Sequence, residues 1–376
     1  MGFPVVGVIG GGQLARMMAG PAIELGITLR VLARDPADSA AQVVPGTEIG
    51  NETDLEALQR FAKGCDVITF DHEHVPTDHL HALTAAGVVV RPGPDALLHA
   101  QDKSVMRARL TELGVPCPRW RMVMDPTALR LFGDEVGWPI VLKTPRGGYD
   151  GKGVRVVGVA EEAADWLTGD EALLAEERVD FTRELAVLVA RSPHGQAAVY
   201  PVVETVQVDG ICREVFAPAA IAEDHALAAQ QAALRIAEGL DVTGVFAVEM
   251  FDTARGVLVN ELAMRPHNSG HWTIDGATTD QFEQHLRAVL DLPLGDTRMT
   301  APHVAMSNVL GGDIAEMYSG YLHCMAHDPG VHIHMYGKDV RPGRKVGHVT
   351  TVGDHAEDVR ARAVHAAAFL RGDIDG

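Results

Sequence analysis

Apolar positions in the first hundred residues fall into short continuous runs separated by helically spaced ones. Val5–Ile9 is unbroken and predicts a strand buried on both faces. Gln13–Leu25 repeats its apolar residues at helical spacing. Thr28–Ala33, Val67–Phe70 and Val88–Val90 predict three further strands, with helices around Leu55–Ala62 and Thr77–Ala86 between the last three. Such alternation implies a Rossmann-like parallel sheet with helices on both faces. A helix from about Asp102 to Leu113 stops before Gly114 and Pro116. The pattern then changes. Ile140–Lys143 and Val154–Val157 flank a glycine-rich loop, and strands are expected at Leu173–Glu177, Glu184–Ala190, Ala198–Val202 and Ile211–Phe216. A long helix, Ala222–Leu240, precedes two apolar runs that predict a hairpin, and Gln281–Leu290 is helical. This middle region is α+β with mostly antiparallel strands. The last stretch carries strands at Val304–Leu310, Val331–Met335 and Lys345–Val352, then an alanine-rich helix from Ala356. No internal repeat interrupts the pattern.

At 376 residues the chain has room for two or three domains. Charged residues are 22% of it, as in ordinary soluble proteins. A formal net charge of −19 argues against a broad nucleic-acid surface but leaves room for a small anionic ligand among local basic groups. Cys65, Cys117, Cys212 and Cys324 form no CxxC pair, so neither a disulfide framework nor a zinc site is expected, and a reducing cytoplasm fits. The N-terminus lacks a cationic leader, and no stretch approaches the ~20 apolar residues of a membrane span.

The hairpin carries the densest chemistry. Its second arm runs into NELAMRPHNSGHW, Asn260 to Trp272. A three-residue turn centred on Arg255 makes Glu249 and Glu261 equidistant from the tip, so the two carboxylates face each other. Opposed like charges destabilise a sheet unless a cation lies between them, and hard oxygen ligands suit magnesium. The competing expectation is a pair of solvated acids on different faces, which a single bulge would produce.

Two glycine clusters follow strands. GGGQLA contains G-x-G-x-x-A from Gly10 to Ala15 at the start of a helix, where amides can receive a phosphate. Asp35 lies 23 residues after Gly12, near the spacing of a ribose-binding acid in a dinucleotide fold. A nicotinamide oxidoreductase, a generic phosphate site and a plain tight turn all fit that cluster. The second, PRGGYDGKG, has four glycines within Gly147–Gly153, with Lys143 before it and Lys152 inside it. Its amides can wrap phosphates, and its alternative is a flexible hairpin tip. Glu176 and Glu184 bracket a short linker where an adenine and a ribose can be read, although an acid at a strand end is commonly solvated. GKDVRPGRKVGH gathers Lys338, Arg341, Arg344, Lys345 and His348 around a Pro-Gly turn, which suits a phosphate monoester or a solvated basic turn. In TFDHEHVP, alternate side chains diverge, so Glu73 is a better substrate acceptor than Asp71, His72, Glu73 and His74 are a metal cluster.

Taken together, GGGQLARMM, GGYDGKG, NELAMRPHNSGHW and RPGRKVGH resemble the ATP-grasp superfamily. Within it, the likeness is to the 5-(carboxyamino)imidazole ribonucleotide synthases of purine biosynthesis, over essentially the whole chain. The resemblance implies a Rossmann-like N-terminal domain (1–100), an ATP-grasp domain (101–298) with a glycine-rich lid at about 119–178, and a small α+β C-terminal domain (299–376). It implies carboxylation of 5-aminoimidazole ribonucleotide by ATP and bicarbonate through carboxyphosphate. It also implies two magnesium ions (or manganese) and a homodimer, with no nucleic-acid or membrane partner.

Carried over by position, Lys103, Lys143, Gly148, Gly151, Lys152 and Gly153 match groups holding the ATP phosphates. Glu176, Glu184 and Asn260 complete the nucleotide side, and Glu249 and Glu261 match the metal ligands. Arg265, Asn268, Tyr149 and Asp150 match catalytic positions around the carboxyphosphate. Gln13, Glu73, His267, Ser269, Lys338, Arg344 and Lys345 match the bicarbonate and ribonucleotide side. Departures occur at Asp71 and His72, at Thr205 and Gln207, and at Met264, where proline is frequent. Another ATP-grasp ligase, of the glycinamide ribonucleotide transformylase or biotin carboxylase type, is the nearest competing expectation.

Overall fold

A computed structural model describes residues 2–148, 153–169, 171–312, 314 and 316–374. The N-terminal sheet holds β1 (Val5–Ile9), β2 (Thr28–Ala33), β3 (Gly46–Ile49) and β4 (Val67–Phe70) in the order β3-β2-β1-β4, all parallel. The predicted strand at Val88–Val90 is not formed; Val90 makes only an isolated bridge to Ile68. The fourth strand is instead β3, whose sequence GTEI has no apolar run. It lies at the sheet edge, half-exposed, where burial on two faces is not required.

A second, antiparallel sheet comprises β5 (Trp120–Val123), β6 (Ile140–Lys143), β7 (Val154–Val157) and β8 (Leu173–Glu177) in the order β5-β8-β6-β7. The helix Pro126–Val136 covers it through Leu129 and Phe132, which join Ile140 and Leu142 in a small core of their own.

The third sheet has nine strands: β9 (Arg183–Arg191), β10 (Ala197–Val199), β11 (Val203–Val208), β12 (Ile211–Ala217), β13 (Gly244–Thr253), β14 (Gly256–Ala263), β15 (His303–Leu310), β16 (His332–Met335) and β17 (Lys345–Gly353). Its path is β14-β13-β9-β11-β12-β15-β17-β16, with β10 beside β9. The C-terminal strands thus extend the central sheet. The expected strand Ala198–Val202 is cut short at Val199, and β11 begins after Pro201, which has no N–H for a ladder.

His285, on the helix Gln281–Val289, ties the parallel sheet to the central one. Its Nδ1 accepts from the Val245 amide at 3.0 Å, so Nε2 carries the proton and donates to Thr69 Oγ1 at 2.7 Å. Burial holds this ring's pKa down to about 3, so it is neutral.

Candidate active site

Glu249 and Glu261 do face each other, but by a different route from the one expected. The hairpin turn has two residues rather than three, because Thr253 pairs with Gly256, a glycine at φ 105. The ladder then runs regularly to Met250↔Val259. An extra residue, Asn260, is inserted there, and the next rung is Glu249↔Glu261. The bulge, which on a three-residue turn would separate the acids, here brings them together.

The pair lines a cleft of about 1040 Å³ between the β5-β8-β6-β7 sheet and the nine-stranded sheet. Burial pushes the Glu249 carboxyl up to about 7, and the charges of Glu261 and Glu184 push the same way. Burial also works against the Glu261 carboxylate, but Lys103, with Nζ 2.9 Å from Oε1, and Lys143 hold it below the ordinary value. Among the described residues no three His, Cys, Asp or Glu side chains cluster as metal ligands. Two carboxylates fit a magnesium ion whose remaining ligands are water and phosphate oxygens.

Lys143, at the end of β6, is ion-paired to Glu176 at 2.8 Å and donates to Asn260 Oδ1 at 3.2 Å. Glu176 is 2% exposed, and Arg107 and Lys143 overcome its desolvation to bring its pKa to about 2. Its carboxylate is therefore committed to two internal cations and orients Lys143. Glu184, on β9, keeps a raised pKa through burial despite a hydrogen bond from Gln207. Apolar walls come from Val141, Val154, Val156 and Leu262, with Phe181 stacked on Phe251 at 4.7 Å.

Also lining the cleft, Arg265 donates from Nε to Glu73 Oε2 at 2.9 Å. Glu73 Oε1 accepts from the Met264 amide at 3.2 Å, a bond a proline at 264 would lack. His267 Nδ1 accepts from the Ser269 amide at 3.3 Å and lies 2.8 Å from Ser269 Oγ, so its proton sits on Nε2, 3.4 Å from Glu249 Oε1. Burial takes the His267 pKa to about 3. Asn268 exchanges two amide hydrogen bonds with Asn308 on β15, at 2.8 and 2.9 Å. Gln281 grips both the N–H and the C=O of His267, at 2.8 and 2.9 Å.

Lys345 also lines the cleft. Gln13 and Lys338 are hydrogen-bonded to each other and lie outside its lining, as do Ser269, Gly153 and the exposed Arg344, whose Nη1 donates to Asp339 O at 3.3 Å. Tyr149, Asp150, Gly151 and Lys152 lie outside the described residues.

The first glycine cluster is not a dinucleotide site. The amides of Gly12 and Ala15 are already bonded to the Asp71 carboxylate, at 3.0 and 2.8 Å. A Cβ on Gly12 would lie 2.1 Å from Asp71 Oδ2, so glycine is there for the carboxylate. Asp35 accepts from the Ala37 amide in a local turn.

Comparison with known proteins agrees with this geometry. Residues 3–101 match the ribonucleotide synthetase preATP-grasp domain, 108–282 the ATP-grasp domain, and 304–362 the phosphoribosylaminoimidazole carboxylase C-terminal domain. The N5-carboxyaminoimidazole ribonucleotide synthase of Mycobacterium tuberculosis is 54% identical over 98% of this chain and 88% of its own length. The chain belongs to the N5-carboxyaminoimidazole ribonucleotide synthase family. The family's synthase from Corynebacterium ammoniagenes is 46% identical over 98% of this chain and 92% of its own. The synthetase structure from Thermus thermophilus superposes with a TM-score of 0.89 at 38% identity, covering 99% of both chains. An Aspergillus clavatus synthase structure in complex with ADP and 5-aminoimidazole ribonucleotide gives 0.89 at 34% identity, again over 99% of both.

Arg107, Gln281 and Asn308 escaped the sequence reading, and all three are fully buried. Arg107 left one signal: it shares the inward stripe of its helix with Met106 and Leu110, where an arginine needs a partner.

Proposed function

We propose that this chain couples ATP cleavage to bicarbonate-dependent carboxylation of the exocyclic amine of 5-aminoimidazole ribonucleotide. The products are 5-(carboxyamino)imidazole ribonucleotide, ADP and phosphate. The observation that carries this reading is that one cleft holds the Glu249–Glu261 rung, Lys103 and Lys143 together with Glu73, Arg265, His267 and Lys345, with His267 3.4 Å from Glu249. Family membership supports the choice of substrates.

Phosphoryl transfer needs positioning and charge neutralisation more than covalent help from the protein. Lys103 and Lys143 place cations at the phosphate end. Glu249 and Glu261 would hold a magnesium ion, which would supply neutralisation of phosphate charge. Arg265, oriented by Glu73, and Lys345 flank the oxyanion that attacks the γ-phosphorus and the carboxyphosphate that results. The amine then attacks that carboxyl carbon, or carbon dioxide released from it, and phosphate leaves. Neutral His267 donates from Nε2 rather than adding a third cation beside Arg265 and Lys345. Asn268, braced by Asn308, and Ser269 hold this wall, and Glu176 orients Lys143 behind the nucleotide.

Tyr149, Asp150, Gly151 and Lys152 enter the proposal on sequence alone, as do Glu184 for the ribose and Gln13, Lys338 and Arg344 for the ribonucleotide. Boundaries near residues 100 and 298, a homodimer and a cytoplasmic location belong to the same proposal. Four free cysteines suit a reducing compartment.

Phosphate release measured with and without each substrate tests it. Full rate is expected only with both 5-aminoimidazole ribonucleotide and bicarbonate present. The same rate with glycinamide ribonucleotide plus formate, or with biotin, would replace it.

A further inference from the structure

Arg107 has no place in the chemistry described above, yet it is wholly buried and touches two of the site's supports. Counted from the turn, the hairpin ladder pairs residues regularly as far as Met250↔Val259. Continued without interruption, it would set Glu249 against Asn260 and Glu261 against Val248. A one-residue slip moves a side chain to the opposite face of the sheet. Glu261 would then leave the cleft, and the acid pair would not exist.

The insertion at Asn260 prevents this, but a bulge leaves backbone groups without ladder partners. Arg107 supplies them. Its Nη1 donates to Val259 O at 3.1 Å and its Nη2 to Asn260 O at 2.8 Å. These are the two carbonyls on either side of the register shift. The third donor, Nε, is fixed on Glu176 Oε1 at 2.5 Å. Glu176 holds Lys143, and Lys143 returns to the Asn260 side-chain oxygen. Arg107, Glu176, Lys143 and Asn260 therefore form a closed ring behind the cleft. A guanidinium presents its donors in a rigid fork, and at 0% exposure no solvent can substitute for it.

We propose that Arg107 is the positioning residue that locks the Asn260 bulge and so sets the register that aims Glu249 and Glu261 at one cation. This rests on the reading of those acids as magnesium ligands. The experiment separates the two ideas by using manganese as the probe, with free Mn2+ followed by electron paramagnetic resonance in the presence of ADP. ADP binding without metal is followed by calorimetry.

Wild type and E249Q come first. If E249Q binds Mn2+ as wild type does, the metal assignment fails whatever Arg107 does. With that assignment standing, R107M is expected to weaken Mn2+ binding about tenfold or more, as loss of a ligand's support does. Metal-free ADP affinity should stay within about threefold, and R107K should recover part of the Mn2+ affinity, because it keeps a buried cation donor but not the fork. Wild-type Mn2+ affinity in R107M overturns the proposal. So does equal weakening of ADP alone, or an R107K as weak as R107M. Should R107M not fold, R107M/E176M removes the ion left unpaired. It is expected to show the same weak Mn2+ binding, and wild-type affinity in it is equally decisive against the role.

Discussion

Arg344 and Lys345 are neighbours in the chain with different surroundings. Lys345 opens β17 and lines the cleft, where its charge favours ionised Glu249. Arg344 is exposed on the preceding turn. In the proposed reading Arg344 serves the ribonucleotide phosphate and not ATP. Arg344→Ala is therefore expected to raise the 5-aminoimidazole ribonucleotide KM about tenfold, the worth of one charge-assisted hydrogen bond, with the ATP KM nearly unchanged. Steady-state kinetics with each substrate varied in turn checks this, and equal rises would remove Arg344 from the phosphate. The turn that carries Arg344 was legible because Pro-Gly announces itself and concentrated basic groups stand out in an acidic chain. Glu176 was legible as important but not as buried. Nothing local distinguishes a carboxylate facing ribose from one facing two cations, because its partners Arg107 and Lys143 are distant in sequence.

At the scale of elements, apolar runs buried on both faces were the most readable, as β1, β2 and β4 show. Edge strands such as β3 and short helices such as Tyr321–His327 carry no such signature. The glycine turn before the helix Gln13–Glu24 shows the limit of a motif. Its amides point at an anion, as the pattern implies, but the anion is Asp71 from the end of the neighbouring strand β4. Long-range pairing decided the ligand. Asp71 acts as an N-terminal cap supplied from elsewhere in the chain. Asp71→Ala is expected to cost about 1–2 kcal/mol of stability, as loss of a cap does. A lower urea midpoint with an unchanged m-value would show it, and an unchanged midpoint would mean that water replaces the carboxylate without loss.

Across the whole molecule, the seams between regions are built from neutral buried histidines. His285 joins β4 to β13, while His348 on β17 bonds the Tyr336 hydroxyl at 2.8 Å, and the Tyr336 carbonyl accepts from Ser39 Oγ at 2.5 Å. His271 packs beside His348, with ring centroids 5.0 Å apart. Burial holds His285 at a pKa of about 3 and depresses His271 and His348 well below the ordinary value. Each folded pKa lies below that of the unfolded chain. The stability from these rings is therefore present above about pH 6.5 and is lost as pH falls, because only the unfolded chain takes up the protons. Between pH 7 and pH 5 the His285 ring costs about 2 kcal/mol and His267, held at about 3 in the same way, costs about as much, while His271 and His348 act in the same direction. Glu249 and Asp280 act in the opposite direction, since burial raises their pKa values to about 7 and about 6. Protonating them in the folded state returns about 2 and about 1 kcal/mol over the same range. The histidines together outweigh the acids, so the chain without metal or nucleotide is expected to be less stable at pH 5 than at pH 7. Urea unfolding at the two pH values measures the difference. An equal or higher midpoint at pH 5 would mean that the seam histidines accept protons without opening the structure.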